Sequence, residues 1–336
     1  MEPTTLATAS RAGLVEKTYY GDAVVTDRAG KLIASAGDPR RLAYMRSASK
    51  PLQALLVVLT GAADRFELSD RELAICCASH CGSAEHVATV RSILGKLGLS
   101  DEDLECGWHW PGDVEERNRL IRAGEQPGTP HSNCSGKHCG MLASALAMGE
   151  PTRGYSRLEH PVQQATLKII ADMCVLPEDQ IHIGIDGCGV PTFGMPLAPM
   201  ARSYARLTMP EALNSELAAA CHRICAAMAA APVMISGKGS FNTRLLEVAG
   251  HTVTCKGGAE GLFLLGIRDR DLGIAIKDAG GNLQPAATLA ALRQLEGLSA
   301  EQIEQLADFV QPQLRNHREE LVGQVEAQLE LDFHGQ

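Results

Sequence analysis

The sequence predicts an α+β fold, in which both ends of the chain build an antiparallel sheet around a largely helical region, roughly residues 45–230. Three observations lead there. Near the start, residues 23–27 (AVVTD) and 31–35 (KLIAS) flank Arg28-Ala29-Gly30, two strand-like runs around a turn that supplies a glycine. Near the end, residues 272–277 (LGIAIK) run into Asp278-Ala279-Gly280-Gly281-Asn282, a second strand and turn. Between them the apolar residues change to helical spacing. Strands from the two ends can share one sheet, so residues 1–336 read as a single domain.

The elements follow in order. Leu52, Leu55, Leu56 and Leu59 form one apolar helix face, and Gly61 supplies the stop. Pro51 fits only a first turn, so this helix starts close to Ser47. Ser69 and Glu72 make a capping box for a helix carrying Leu73, Cys76 and Cys77, which runs out at Ser79-His80-Cys81-Gly82. A further helix covers residues 86–96 before Gly98. Residues 127–140 read as a loop leading into a helix over 141–148, and residues 155–175 are helical after Pro161. Alternating Ile181, Ile183 and Ile185 predict a strand that delivers Asp186-Gly187-Cys188-Gly189 at its end. Residues 211–231 form an alanine-rich helix. Residues 253–256 are a strand stopped by Gly257-Gly258, with apolar residues 262–267 next. From about residue 298 to 330 the chain is polar and amphipathic, which predicts one or two covering helices.

Composition narrows the function. Aromatics are only 4% of a chain that is 45% hydrophobic, so the core must be aliphatic. A net charge of −9 without a basic cluster argues against nucleic acid or an anionic membrane as partner. The first ten residues lack a basic segment followed by an apolar one, and the apolar run at 52–59 is too short to span a bilayer. Eleven cysteines are odd in number and scattered through a chain with ample core material. They read as free thiols, mostly small buried hydrophobes, in a reducing cytoplasm.

Four segments carry the candidate chemistry. Ser47 and Lys50, three residues apart, share one face of a helical turn, and an amine beside a hydroxyl is how a weak nucleophile gains a base. A capped helix with an exposed lysine is the competing reading. Ser79, where a helix gives way to a glycine turn, and Lys256, where a strand ends in two glycines, are a candidate second pair. Their order matches the S-x-x-K, mid-chain serine and strand lysine of penicillin-binding enzymes and class A lactamases, although S-D-N and K-T-G are absent. Without that analogy, they are a turn serine and a surface lysine. Cys134, Lys137, His138 and Cys188 form a candidate metal constellation, with spacing unlike any structural zinc module; buried thiols are the alternative. Asp186 suits an ammonium group or the orientation of a lysine, or else an ordinary turn. Gly136-Lys137 is no P-loop, no G-x-G-x-x-G follows a strand, and H-E-x-x-H does not occur.

Taken together, Arg46-Ser47-Ala48-Ser49-Lys50-Pro51, Ala78-Ser79-His80-Cys81-Gly82 with His86, Asn133-Cys134-Ser135-Gly136-Lys137-His138, His160-Pro161-Val162-Gln163 and Asp186-Gly187-Cys188-Gly189-Val190-Pro191 resemble the bacterial L-asparaginases of the rhizobial, thermolabile type. The likeness runs from Gly13 to about Gly261. It implies a fold like the serine β-lactamases and serine-dependent glutaminases, hydrolysis of L-asparagine to L-aspartate and ammonia, and a homodimer. It also implies Ser47–Lys50 and Ser79–Lys256 as catalytic tandems, and a zinc site at Cys134, Lys137 and Cys188. Arg46, His80, His138 and Asp186 are the expected substrate-binding residues. The weak amine ligand favours a structural or modulatory zinc. The chain departs from the family at Tyr19, where histidine is expected, and at Cys81, where serine or threonine is. The competing readings are a glutaminase, a serine β-lactamase-like hydrolase, and a zinc-dependent binding protein of the cytoplasm.

Overall fold

The computed structural model describes residues 2–282 and 285–335. Its main sheet is antiparallel and draws on both ends of the chain. β1 (Thr4–Arg11), β2 (Leu14–Asp27) and β3 (Leu32–Ala36) come from the start. β4 (Leu42–Tyr44), β5 (His182–Ile185) and β6 (Pro191–Pro196) form a separate three-stranded sheet in the order β4-β6-β5. β7 (Val253–Gly257), β8 (Leu262–Ile267) and β9 (Leu272–Asp278) return to the main sheet, as do β10 (Gln313–Arg315), β11 (Leu321–Ala327) and β12 (Asp332–Phe333). The main order is β10-β11-β1-β2-β9-β8-β7, with β3 pairing β2 and β12. β2 and β9 are in register from Gly21 opposite Asp278 to Asp27 opposite Leu272, so the predicted first and last strands are direct neighbours.

Helix Leu197–Thr208 lies against β2, β8 and β9 and buries their apolar residues. Val24, Leu264 and Tyr204 are fully enclosed there, and Val25 and Ile274 are as fully enclosed on the opposite face of the sheet. The rest of the helical region packs around Lys50–Leu59, which touches Ser135–Met148, Pro161–Cys174 and Ser215–Ala230. Among the described residues, no helix is long and apolar enough to cross a membrane. All eleven cysteines are free, and only Cys81 is not buried.

Two expectations need correction. The stretch 127–140 is not loop throughout, because its helix begins at Ser135 rather than near Met141. Gly136 and Gly140 are packing positions rather than loop glycines. A Cβ at Gly136 would lie 2.2 Å from the carbonyl oxygen of Ile75, and one at Gly140 would meet Val57 and Cys76. The tail is the second correction. Helices Ala300–Glu304 and Ala307–Val310 do cover part of the core, but β11 then adds a half-buried strand beside β1. Its mixture of polar and apolar residues suits a strand with one face wet, and that resembles a covering helix in sequence.

Candidate active site

Ser47 lies in a 3-10 turn, Arg46–Ser49, that runs directly into helix Lys50–Leu59. Arg46 takes a left-handed backbone conformation, φ 47°, which costs an L-residue about 1–2 kcal/mol and persists only where its surroundings impose it. The surroundings do so. Ser49 Oγ donates to Arg46 O at 2.8 Å, Gln53 Nε2 donates to Ser49 Oγ at 2.6 Å, and buried Tyr204 donates its hydroxyl to Ala48 O at 2.7 Å. Met45 N also donates to Phe193 O on β6. Beyond the turn, Arg46 Nε meets Asp186 Oδ1 at 2.7 Å, which joins the turn to the segment after β5.

Lys50 is fully buried. Its Nζ donates to Ala78 O at 2.6 Å, Ser79 Oγ at 3.0 Å and Cys134 Sγ at 3.1 Å. These three acceptors match the three N–H bonds of a lysine ammonium. Lys50 therefore ties Ser79 and Cys134 together, a connection that local sequence does not announce. Lys256, at the end of β7, is 1% exposed. Its Nζ donates to Gly257 O at 2.6 Å. Burial first, and then the charge of Lys50, bring its ammonium down to about 7, so near neutral pH a large fraction is the free amine. Gly258 seats β7 against the serine turn, because a Cβ there would lie 2.8 Å from Met45 O and 3.3 Å from Ala48 N.

Cys134 and Cys188 meet between two lysines. Lys50 Nζ reaches Cys134, and Lys137 Nζ donates to Cys188 Sγ at 3.0 Å. A hydrogen bond from Cys188, helped by Lys50 and Lys137, outweighs burial and holds the Cys134 thiol well below its ordinary range. The same bond, with burial, pushes Cys188 up, so the pair is a thiolate accepting from a thiol. Burial opposes the charge on Lys137, but Cys134, Cys188 and Asp186 together hold it as ammonium. Burial would raise Asp186, yet Lys137 and Arg46 overcome it and keep the carboxylate. Cys134, Lys137 and Cys188 thus bring two sulfurs and one amine to one point, a donor set suited to zinc. Among the described residues, no group of three or more His, Cys, Asp or Glu side chains is placed to hold a metal. Any site here includes the lysine.

The two histidines sit less openly. His80 Nδ1 accepts from Gly82 N at 3.1 Å, so its Nε2 donates to Ser135 Oγ at 2.9 Å, and both ring nitrogens are used. His138 Nδ1 lies 2.8 Å from Tyr155 Oη, which already accepts from Glu105 N, while the buried His138 Nε2 has no partner among the described residues. Cys81 lines a cavity of about 620 Å³ with His86, Asp113 and Arg119, and none of Ser47, Lys50, Ser79 or Lys256 lines it. Sequence reasoning missed Tyr204 and Tyr155, whose only signal is burial of a phenol, a group that must find a partner.

The chain matches the L-asparaginase II family over residues 7–327. It belongs to that family. Membership makes it an amidohydrolase. Among curated proteins, none matches the chain. Solved structures similar to it include a β-lactamase from Mycobacterium bovis, 14% identical, covering 82% of this chain and 94% of that one, with a TM-score of 0.41. A putative β-lactamase from Bacteroides dorei is 12% identical over 82% of this chain and 93% of that one, TM-score 0.46. A D-alanine carboxypeptidase from Burkholderia cenocepacia is 16% identical over 82% and 93%, TM-score 0.41.

Proposed function

We propose that this member of the asparaginase II family is an L-asparaginase, which hydrolyses the side-chain amide of L-asparagine to L-aspartate and ammonia. The observation that carries the reading is the bond from Lys50 Nζ to Ser79 Oγ at 3.0 Å, together with a buried Lys256 that the Lys50 charge helps bring to about 7 and a Gly258 seated on the turn that carries Ser47. In this mechanism Ser47 attacks the amide carbon. Neutral Lys256 draws a proton from Ser79, Ser79 is resupplied by Lys50, and the freed Lys50 amine accepts the proton of Ser47. The same groups return a proton to the departing ammonia, and water then cleaves the acyl-enzyme by the reverse relay. Arg46 and Asp186, paired at 2.7 Å, offer one charge of each sign for the amino-acid end of the substrate.

Zinc belongs to the same proposal, held by Cys134, Lys137 and Cys188. When bound it supplies fixed positive charge beside Lys50 and Asp186. The protein is further proposed to act as a homodimer in the cytoplasm; sedimentation of the purified protein tests the first part.

The deciding measurement, with Ser47→Ala as control, is ammonia release by the purified protein from asparagine and from glutamine, alongside the colour change of a chromogenic cephalosporin. Asparagine is expected to be the best substrate, and Ser47→Ala to fold normally while keeping less than about a tenth of the rate, ~1.4 kcal/mol of barrier. Faster cephalosporin turnover would replace the asparaginase reading with the lactamase-like one. An active Ser47→Ala would pass the nucleophile to Ser79.

A further inference from the structure

β7 is the last strand of the main sheet, so among the described residues one side of it has no strand partner. Gly258 N donates to Leu262 O across the turn to β8, which fixes the alternation along the strand. Gly257 accordingly turns both its N–H and its C=O outward, off the free edge. The C=O accepts Lys256 Nζ, and the N–H donates to Asn242 Oδ1 at 2.8 Å. Asn242 stands in the first turn of helix Phe241–Ala249, which packs against β7 and is capped by Ser240. A second, weaker link runs from Cys255 Sγ to the Asn242 carbonyl at 4.0 Å.

We propose that Asn242 is a positioning residue for the hydrolytic reaction, holding through Gly257 the backbone on which the Lys256 amine rests. The inference depends on the asparaginase reading and deepens it. Gly257 lies between two functional contacts, the carbonyl that receives Lys256 and the Gly258 Cα seated on the Ser47 turn. Asn242 pins the peptide between Lys256 and Gly257, and the bond from Gly258 N to Leu262 O pins the next one, so Gly257 cannot rotate about its own backbone bonds without breaking one of the two. Both the amine and the gap beside Ser47 therefore keep their places. Glycine makes the pin necessary, since two consecutive glycines leave the backbone freer than any other pair would.

The alternative is that Asn242 only covers an exposed sheet edge, as many proteins do to block strand pairing. The two roles separate experimentally. Amide hydrogen exchange at Gly257 reads the bond itself, without reference to activity. Exchange there should be slow in the wild type, fast in Asn242→Ala and slow again in Asn242→Asp, which keeps an oxygen acceptor. In asparagine hydrolysis, Asn242→Ala should lose about tenfold or more in kcat with KM within about twofold, the pattern of an interaction that matters in the transition state. Asn242→Asp should recover the rate at alkaline pH, with the acid limb of its pH–rate profile moved upward. The groups that already face Lys256 are Lys50, Cys134, Cys255 and Cys77, and a carboxylate added nearby favours the ammonium. Fast exchange in Asn242→Ala with unchanged kcat, KM and pH profile would reduce Asn242 to an edge cover. Slow exchange in that variant would remove the pin altogether. A wild type that hydrolyses no amide would overturn the asparaginase reading and the positioning role with it, while leaving the exchange result as a measure of the pin alone.

Discussion

Lys256 shows how a surface-type side chain becomes a base. It is among the largest side chains in the protein to be fully enclosed, and burial next to Lys50 brings it to about 7. The expected consequence is a kcat/KM that climbs through an apparent pKa near 7 as the ammonium deprotonates. Lys256→Met keeps the stem and removes the amine; it should cost about a hundredfold or more and abolish that limb. A Met variant with near-normal turnover would disprove the relay. The zinc site gives a second residue-scale test. Lys137 is held as ammonium by Cys134, Cys188 and Asp186 against its burial, so metal must compete with a proton for that amine. Zinc affinity should therefore rise with pH, and Cys134→Ala or Cys188→Ala should abolish the response. The zinc ligands touch the serine–lysine set through the bond from Lys50 to Cys134 without belonging to it, so chelated protein should keep measurable activity, and added zinc should change KM more than kcat. Complete, zinc-reversible loss of turnover would move the metal into the chemistry. Of these residues, the Ser47–Lys50 spacing was legible directly. Lys256 was legible only through its place before two glycines and the family likeness, because what makes it a base is burial contributed by distant segments.

At the scale of elements, capping and periodicity carried most of the information. The Ser69–Glu72 capping box forms as its spacing requires, with Ser69 accepting from Glu72 N and Glu72 accepting from Ser69 N. Gly98 ends its helix in a left-handed conformation, φ 69°. Ile185 is the instructive case: the alternation of Ile181, Ile183 and Ile185 does mark a strand, but Ile185 is 83% exposed, so that periodicity identified the element and not its burial. Sequence alone starts the helix over Ser135–Met148 too late, because glycine signals both turns and tight packing. Only a neighbour can tell the two apart, and here the neighbour is the chain around Ile75 and Cys76. Gly136→Ala tests this. The added Cβ would press on a backbone oxygen that has no rotamer to yield, so a loss of about 1–3 kcal/mol in urea unfolding is expected, as for other overpacked positions. The same shift moves Cys134 and Lys137 relative to Cys188, and zinc affinity should fall with stability. Unchanged stability would mean that the helix has room to move outward.

The molecule as a whole closes its sheet with its own ends, β2 against β9 and β1 against β11, around an aliphatic core that contains many thiols. That architecture sets the pH range in which it is stable. Burial, more than any neighbour, lowers the His80 and His138 imidazoles well below their ordinary value. Below about 6.5 the unfolded chain therefore takes up protons that the folded chain refuses, and stability falls as pH drops. Lys256 acts in the same direction at higher pH: between about 7 and the ordinary lysine value of about 10.4, the unfolded chain holds a proton that the folded one has released, so stability rises with pH. The thiols oppose this. Burial pushes Cys76, Cys174 and Cys255 up to about 12. Above the ordinary thiol value of about 8.5 the unfolded chain loses protons that the folded chain keeps, and stability falls as pH rises. Lys277, lowered by burial, and Cys134, held low mainly by Cys188, act with Lys256, but the raised thiols outnumber these three and decide the alkaline side. Urea midpoints of the reduced protein measured from pH 5 to 10 should therefore trace a dome with its top between about 7 and 8.5, set by those opposed proton uptakes. In Lys256→Met the rise between neutrality and the top should flatten while both outer limbs remain. A wild-type midpoint that kept climbing beyond pH 9 would show that the thiols ionise freely in the folded state, and the core would then be more open than its packing implies.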